Sequence, residues 1–467
     1  AVFVDPVGGD DSEGDGSIEN PVRTIVKATE IALAANPVKD LYLASGIHQG
    51  PIELHDGMSV FGGFVAENDW QRSLEAVSTI MVNQADMTGN FRAVIAQSLK
   101  ETVELAFVTL QTISDSGAPG ASNYGVWADS CTDVWVHHCR IQIDNARAGA
   151  TGSNGVTGTN GNKGSDGEAG REKPIFDDTP TYGGNGGTSC MDFNRGGKGG
   201  NGGFGDSEDD PDGQNGEMSP GGGVAGIGKP EGNGEPGYMG PDGNDGVPGN
   251  GGSGGQVDDN GFWISSAGLT GESGYDGAGG GGGGGGGGSN GGTWISAFWG
   301  GAGGGGGGGG CGGSAGSGGG GGGSVFGVYY IGSVPHVTNC KITTGNGGRG
   351  GDGGQPGPGG SGGDGGTGGD HLCKSDAFGG TYCSGMGGDG GDGGDGGNGG
   401  PGGGGAGGIS FSIFAFEIPE GETPVIEDCT FNPGMGGNGG TSPSGQQIHA
   451  GEAGIYGETW LDGETSP

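Results

Sequence analysis

The chain has 467 residues, of which 134 are glycine and only 29% are hydrophobic, and 56 acidic side chains face 17 basic ones for a formal charge of −39. That charge excludes nucleic acid and anionic membrane surfaces as partners, because both need basic patches. No stretch approaches the ~18 apolar residues of a membrane-spanning helix.

Glycine-rich, acidic chains are ordinarily disordered, but here the apolar residues gather in 1–145, 325–343 and 409–431, which is enough for one core. Ala1 leads straight into the strand-like AVFVD, as expected of a secreted chain whose signal peptide has been removed. The missing N-x-S/T sequon favours a bacterial source. Asn20 and Pro21 are read as N-cap and first residue of a helix whose apolar face is Ile25, Ala28, Ala32 and Leu33, stopped by Asn36-Pro37. Such a helix would cover an open sheet edge. Asp40–Ala44, Pro51–Leu54 and Met58–Phe64 continue as strands.

A long repeat follows. VWVHHCRIQID (134–144), PHVTNCKITT (335–344) and PVIEDCTFNP (424–433) align, with Cys139, Cys340 and Cys429 in one column. VELAFVTLQT (103–112) fits with Val108 in that column. A second strand precedes each, beginning at Ala93, Tyr124, Val325 and Ile409. Repeats of about 30 residues with two or three short strands predict a parallel β-solenoid. Equivalent residues then stack, and the three cysteines are expected as a buried thiol ladder.

The run FVDPVGGDDSEGDGSIENPVRTIVKATEIALAA…DLYLASGIHQGPIELHDGMSVFGGFVAENDWQRS, to about Ser73, resembles the opening of pectate-lyase-like right-handed parallel β-helix proteins of bacterial surfaces. The resemblance implies an all-β chain, a right-handed parallel β-helix with an N-terminal capping helix. The glycine-rich segments resemble, by composition, the polyglycine II bundles of snow flea antifreeze protein and phage tail-tip adhesins.

Those segments keep a strict Gly-Gly-X period. X is Asn346, Arg349, Asp352, Gln355, Pro358, Ser361, Asp364, Thr367 and Asp370, and the period resumes from Met386 to Pro401. An extended left-handed helix with three residues per turn presents one face at every third residue. Two glycine-only faces let neighbouring helices meet backbone to backbone, which predicts a layer of packed polyglycine II helices. Segments 152–170 and 234–255 have collagen spacing, but the first lacks proline, which a triple helix needs at roughly 15–20%. The pure runs Gly279–Gly288 and Gly303–Gly310 have no period and are compatible with flexible linker.

All the inserts leave the solenoid at one corner, after Ile143, Thr344 and Phe431. This divides the chain into a cap with first coils (1–145), insert 1 (146–324), a coil (325–344), insert 2 (345–408), a coil (409–431), insert 3 (432–453) and a C-terminal strand (454–467). Insert 2 reads as a hairpin whose tip carries Cys373 and Cys383, expected as a disulfide in an oxidising compartment. The connectivity of Cys131, Cys190 and Cys311 stays open.

Catalytic constellations are not evident. The Asp pairs 10–11, 177–178, 209–210 and 258–259 lie in loops or inserts. Of His137 and His138, alternation points one inward, with no carboxylate in their column. Lys341 and Arg140 are outward. No enzymatic activity is expected, a polysaccharide-cleaving β-helix enzyme being the least favoured function. Ice binding would need a regular hydroxyl array, whereas the X column is Asp, Asn and Arg.

Trp263, Trp294 and Trp299 are candidate ligand-binding residues, or else plugs anchoring the insert's turns. Asp389, Asp392 and Asp395 form a row spaced at roughly 9 Å, too open for one calcium site and otherwise a solvated face; calcium bridging between molecules is the metal role left to it. No other cofactor is expected. Ile455, Tyr456, Trp460 and Leu461 begin a further coil without an evident cap, an edge suited to self-association. The expectation is an extracellular structural protein, the subunit of a bacterial surface filament or fibre. The alternative is an adhesin with a surface glycan or cell-envelope partner.

Overall fold

The computed structural model describes residues 1–73, 75–172, 179–205, 212–229, 232–290 and 297–466. Strands dominate, and Ile25–Ala34 is the one α-helix among the described residues. Three parallel sheets, here called A, B and C, are visited in fixed rotation. One turn runs Val103–Ala106 (A), Val108–Thr112 (B) and Asn123–Asp129 (C). The next runs Val134–His137, Arg140–Ile143 and Val325–Ile331. Then come His336–Thr338, Lys341–Thr344 and Ser410–Phe416, and last Val425–Glu427, Thr430–Asn432 and Tyr456–Leu461. Parallel sheets stacked this way are compatible with a β-helix-like fold.

Register sets what stacks. Val108, Cys139, Cys340 and Cys429 share a column, since Leu110 faces Ile141, Ile141 faces Ile342, and Ile342 faces Phe431. Inward side chains of the three sheets, including Leu105, Leu110, Val126, Val136, Ile141, Val328 and Ile413, form the main core.

Two corners are turned by stacked left-handed residues. Phe107, His138, Asn339 and Asp428 have φ of 58°, 54°, 54° and 51° between sheets A and B. Ser98, Ser130, Gly332, Glu417 and Asp462 do the same after sheet C. These conformations disfavour L-residues, and several are held by a bond to the next turn, as His138 N–H to Thr338 O (3.1 Å) and Asn339 N–H to Glu427 O (2.9 Å). Because His138 takes the corner, His137 and His138 both lie outside the core, contrary to strict alternation. His137 Nε2 is 3.1 Å from Glu104, so a carboxylate does sit beside this pair.

The helix begins later than its cap motif suggested. Thr24 is the N-cap, its Oγ1 accepting from Lys27 N–H at 3.2 Å. Val22 is instead drawn into a bridge with Val4, which keeps Asn20 and Pro21 outside the helix. Ile25, Ala28 and Ala32 are buried. Leu33, one residue past Ala32 and so about 100° around the helix, is 41% exposed.

The inserts occupy the passage from sheet B to sheet C, between Ile143 and Val325, Thr344 and Ser410, and Asn432 and Tyr456. Their backbones run as extended segments bonded at every third residue. Gly149, Gly152, Gly155, Gly158, Gly161, Gly164, Gly167 and Gly170 donate to the carbonyls of residues 349, 352, 355, 358, 361, 364, 367 and 370. Insert 2 folds back on itself, from Gly387 N–H to Gly369 O down to Gly408 N–H to Gly348 O.

The pure glycine runs lie at the centre of this layer. Segment 300–323 has six bonded neighbours: Gly305 donates to Ser165, Gly306 to Gly197, Gly307 to Gly391 and Gly304 to Gly388, while it accepts from Gly184, Gly280 and Gly366. A Cβ on Gly305, Gly306 or Gly307 would lie 2.1, 2.0 or 1.8 Å from a neighbouring carbonyl oxygen, so none of these three can carry a side chain. Segment 346–370 has one open face and keeps two glycines per triplet. Segments 152–170 and 234–252 lie at the periphery and keep one, as Gly161 (1.9 Å from Gly308 O) between exposed Asn160 and Asn162. The number of glycines per triplet thus tracks the number of covered faces.

Candidate functional site

Sheet C carries a second apolar cluster on its outer side. At Gly125 and Gly327 a Cβ would meet Gly327 O at 2.3 Å and Ile342 Cγ2 at 2.3 Å. Strict alternation breaks around these glycines: Val126 and Val328 join the main core, while Tyr124 and Trp127, and Phe326 and Tyr329, belong to the outer cluster. Trp127, Tyr329, Phe414 and Trp460 share a column. Tyr329 stacks on Phe414 at 5.1 Å and Phe414 on Trp460 at 4.4 Å. Over this face lies the antiparallel hairpin Gly255–Val257 with Trp263–Ser265, which delivers Phe262 onto Trp127 (5.2 Å, stacked) and Trp263 edge-on to Phe414 (5.6 Å). Trp263 therefore anchors its insert on sheet C. Trp299 does the equivalent inside the layer, packed on Phe204 at 4.7 Å. Trp294 lies outside the described residues, as do the Asp pairs 177–178 and 209–210.

Between the hairpin and sheet C runs a cleft of about 1430 Å³. One wall is the corner column Gln97, Asp129, Ile331 and Phe416, with Glu417 beyond it; the other is the hairpin turn with Asp258, Asp259 and Asn260. Asp258 caps that turn, accepting from Asn260 N–H at 3.0 Å and Phe262 N–H at 2.8 Å. Arg92 lies in the cleft floor, paired with Asp86 at 2.6 Å, its guanidinium 4.8 Å from the Trp127 ring and 5.2 Å from that of Phe262.

The thiol column is largely closed. Cys131, Cys139 and Cys340 are buried and unpaired, and Cys429, at the end of the column, is half-buried. The neighbouring Cys139 thiol and burial push the Cys340 thiol up, and the contact with Cys340 together with burial does the same to Cys429. Two disulfides form, Cys373–Cys383 at the tip of insert 2 and Cys190–Cys311 within insert 1. Spacing alone offered no signal for the second. The grouped metal-type ligands, His371 with Cys373 and Cys383, and Asp276 with Cys190 and Cys311, contain only these bridged sulfurs.

The aspartate row has a structural task that sequence inspection missed. Asp389, Asp392 and Asp395 accept from the backbone N–H groups of Gly368, Gly365 and Gly362, each at 2.8 Å. These carboxylates are hydrogen-bonded across a groove between segments, which corrects their description as a merely solvated face. Asn398 on Gly359, Asp166 on Thr367 and Asp352 on Thr441 repeat the device. Arg349 and Thr441 hold the Asp352 carboxyl well below its usual range. The signal was the Asp/Asn bias of the X column, since a neutral hydroxyl or amide would suit solubility equally well.

At the far end of sheet C, Tyr456–Leu461 is not an open edge. Glu464–Ser466 pairs with it antiparallel, Trp460 stacks on Phe414, and Leu461 packs against the main core. Ile455 and Tyr456 are 52% and 56% exposed. Val425–Glu427 and Thr430–Asn432, each paired on one side only, end sheets A and B, as Glu464–Ser466 ends sheet C. There Ile426, Cys429 and Phe431 remain only partly buried.

No family model matches this chain, and neither does any curated protein or solved structure. No helix among the described residues is long and apolar enough to cross a membrane.

Proposed function

We propose that this is a non-catalytic extracellular structural protein, a right-handed parallel β-helix stiffened by a polyglycine II layer, that self-associates into a surface filament or fibre. The observation that carries the proposal is the free outer edge of the two strands ending sheets A and B, with Ile426, Cys429 and Phe431 half-covered. In parallel strands alternate residues bond to opposite sides. Val425 and Thr430 donate inward, to Pro335 O and Cys340 O, leaving the backbone of Ile426 and Phe431 on the free edge. Such an edge is a template for another chain, and a contact that does not close on itself propagates. The layer supports an architectural role, because its interior is chiefly backbone bonded to backbone, with few side chains to rearrange. The two disulfides support an oxidising exterior. Calcium would act only between molecules, by bridging acidic rows on facing layers.

Glu427 and Thr430 are exposed, so lysine there blocks pairing without touching the core. The purified protein should form end-to-end particles by negative-stain imaging as concentration rises, and E427K/T430K should stay single with an unchanged melting temperature. Wild-type protein that remains monodisperse with and without calcium, or a variant that assembles equally, removes the filament and leaves the adhesin with a glycan or cell-envelope partner as the better account.

A further inference from the structure

We infer that the cleft between sheet C and the 255–265 hairpin is a docking groove for an extended basic peptide segment, independent of end-to-end assembly. Its charges are one-sided. Asp129 and Glu417 stand on the corner wall and Asp259 on the hairpin turn, while the one cation in the lining, Arg92, is neutralised by Asp86. The carboxylates stand on separate elements, and none of them belongs to a compact group of metal-type ligands among the described residues. Carboxylates spread along two walls suit cationic groups spaced along a chain.

The floor adds an independent requirement. Ser265 is 7% exposed and lines the cleft, and its Oγ has no hydrogen-bond partner. The Nε1 of Trp263, also in the lining, is buried and equally unpartnered. Buried polar atoms are normally satisfied, and leaving one bare costs about 1–3 kcal/mol. Indole N–H is a donor only and needs an acceptor, whereas a hydroxyl can take either role. Neither atom is open to solvent, so a peptide carbonyl supplies the acceptor as the hairpin shifts to admit it, while lysine or arginine side chains reach the carboxylates. A simple polyamine offers the second but not the first. The hairpin is also a two-stranded sheet with no third strand, and an extended peptide can add to such an edge.

The test uses the full chain and a fluorescein-labelled octapeptide of alternating lysine and serine, followed by anisotropy at near-physiological salt. D259N/E417Q should weaken binding about tenfold, since it removes two facing charges. S265A should weaken it about threefold while leaving the melting temperature unchanged, because its hydroxyl has no partner to lose. D389N/D392N, on the glycine layer, should bind within about twofold of wild type and so controls for the overall negative charge. Equal binding by all variants, or none by wild type, overturns the proposal. Displacement by spermidine at matched charge overturns the peptide class in favour of a small cation, and binding of a neutral oligosaccharide in place of the peptide overturns the charge argument.

Discussion

Adding a single methyl group inside the glycine layer should be among the most damaging small changes this protein can suffer. Gly390 is the informative position. A Cβ there would lie 2.1 Å from Gly305 O and 2.4 Å from Gly305 C, so segment 300–323 must retreat by about 1 Å to restore contact distance. The bonds flanking that point, Gly304 N–H to Gly388 O and Gly307 N–H to Gly391 O, are both 2.9 Å and would be stretched beyond bonding range. Two buried groups left unpaired at about 1–3 kcal/mol each give a loss of roughly 2–6 kcal/mol. The reduced freedom of the unfolded chain returns only about 0.4–1 kcal/mol. Two residues away, Asp392→Asn keeps an oxygen for Gly365 N–H and should change stability by less than about 0.5 kcal/mol. Guanidinium unfolding of G390A and D392N reads the global difference, and amide exchange at Gly304 and Gly307 reads its location. If G390A costs no more than D392N, the layer is not packed through its backbone.

In the native protein at pH 8, Cys131, Cys139 and Cys340 should resist thiol reagents, with Cys429 alone reacting slowly, and all four should react after unfolding; rapid native labelling of Cys139 or Cys340 contradicts the column. Replacing Cys190 and Cys311 by serine frees a loop of separation 121 and should cost about 4–5 kcal/mol by chain entropy, measured as a shift in denaturant midpoint. His48 is 2% exposed, donates from Nε2 to Ala44 O, and is held below its ordinary pKa by burial. Its neutral form is therefore favoured on folding, and the stability it contributes is complete above its unfolded pKa of about 6.5 and is lost as pH falls below that. Unfolding midpoints at pH 7.5 and 5.5 should differ more for wild type than for H48Q.

Local order was legible wherever one face of the chain met solvent. The cysteine column was readable because successive parallel strands of one sheet repeat the same burial at the same position, so Cys139, Cys340 and Cys429 align without any knowledge of neighbours. The Gly-Gly-X segments were readable for the same reason, their X residues marking the single open face. Segment 300–323 shows the limit. Over 303–310, where all its faces are covered, every position is glycine, the period vanishes, and the most enclosed stretch of the layer resembles a linker. Only the arrangement of the other segments around it decides otherwise.

The same distinction governs the site. Trp263 was visible as an apolar island, but its partner Phe414, and the Trp127 on which neighbouring Phe262 stacks, lie far away in sequence, on the outer face of sheet C. Likewise the edge at Tyr456–Leu461 looked open until Glu464–Ser466 folded back on it. Composition, period and column are properties of the chain taken locally and were set by residue identity. Which faces are covered, which strand edges remain free and which carboxylates share a cleft depend on contacts between residues distant in sequence, and those only the tertiary structure decided.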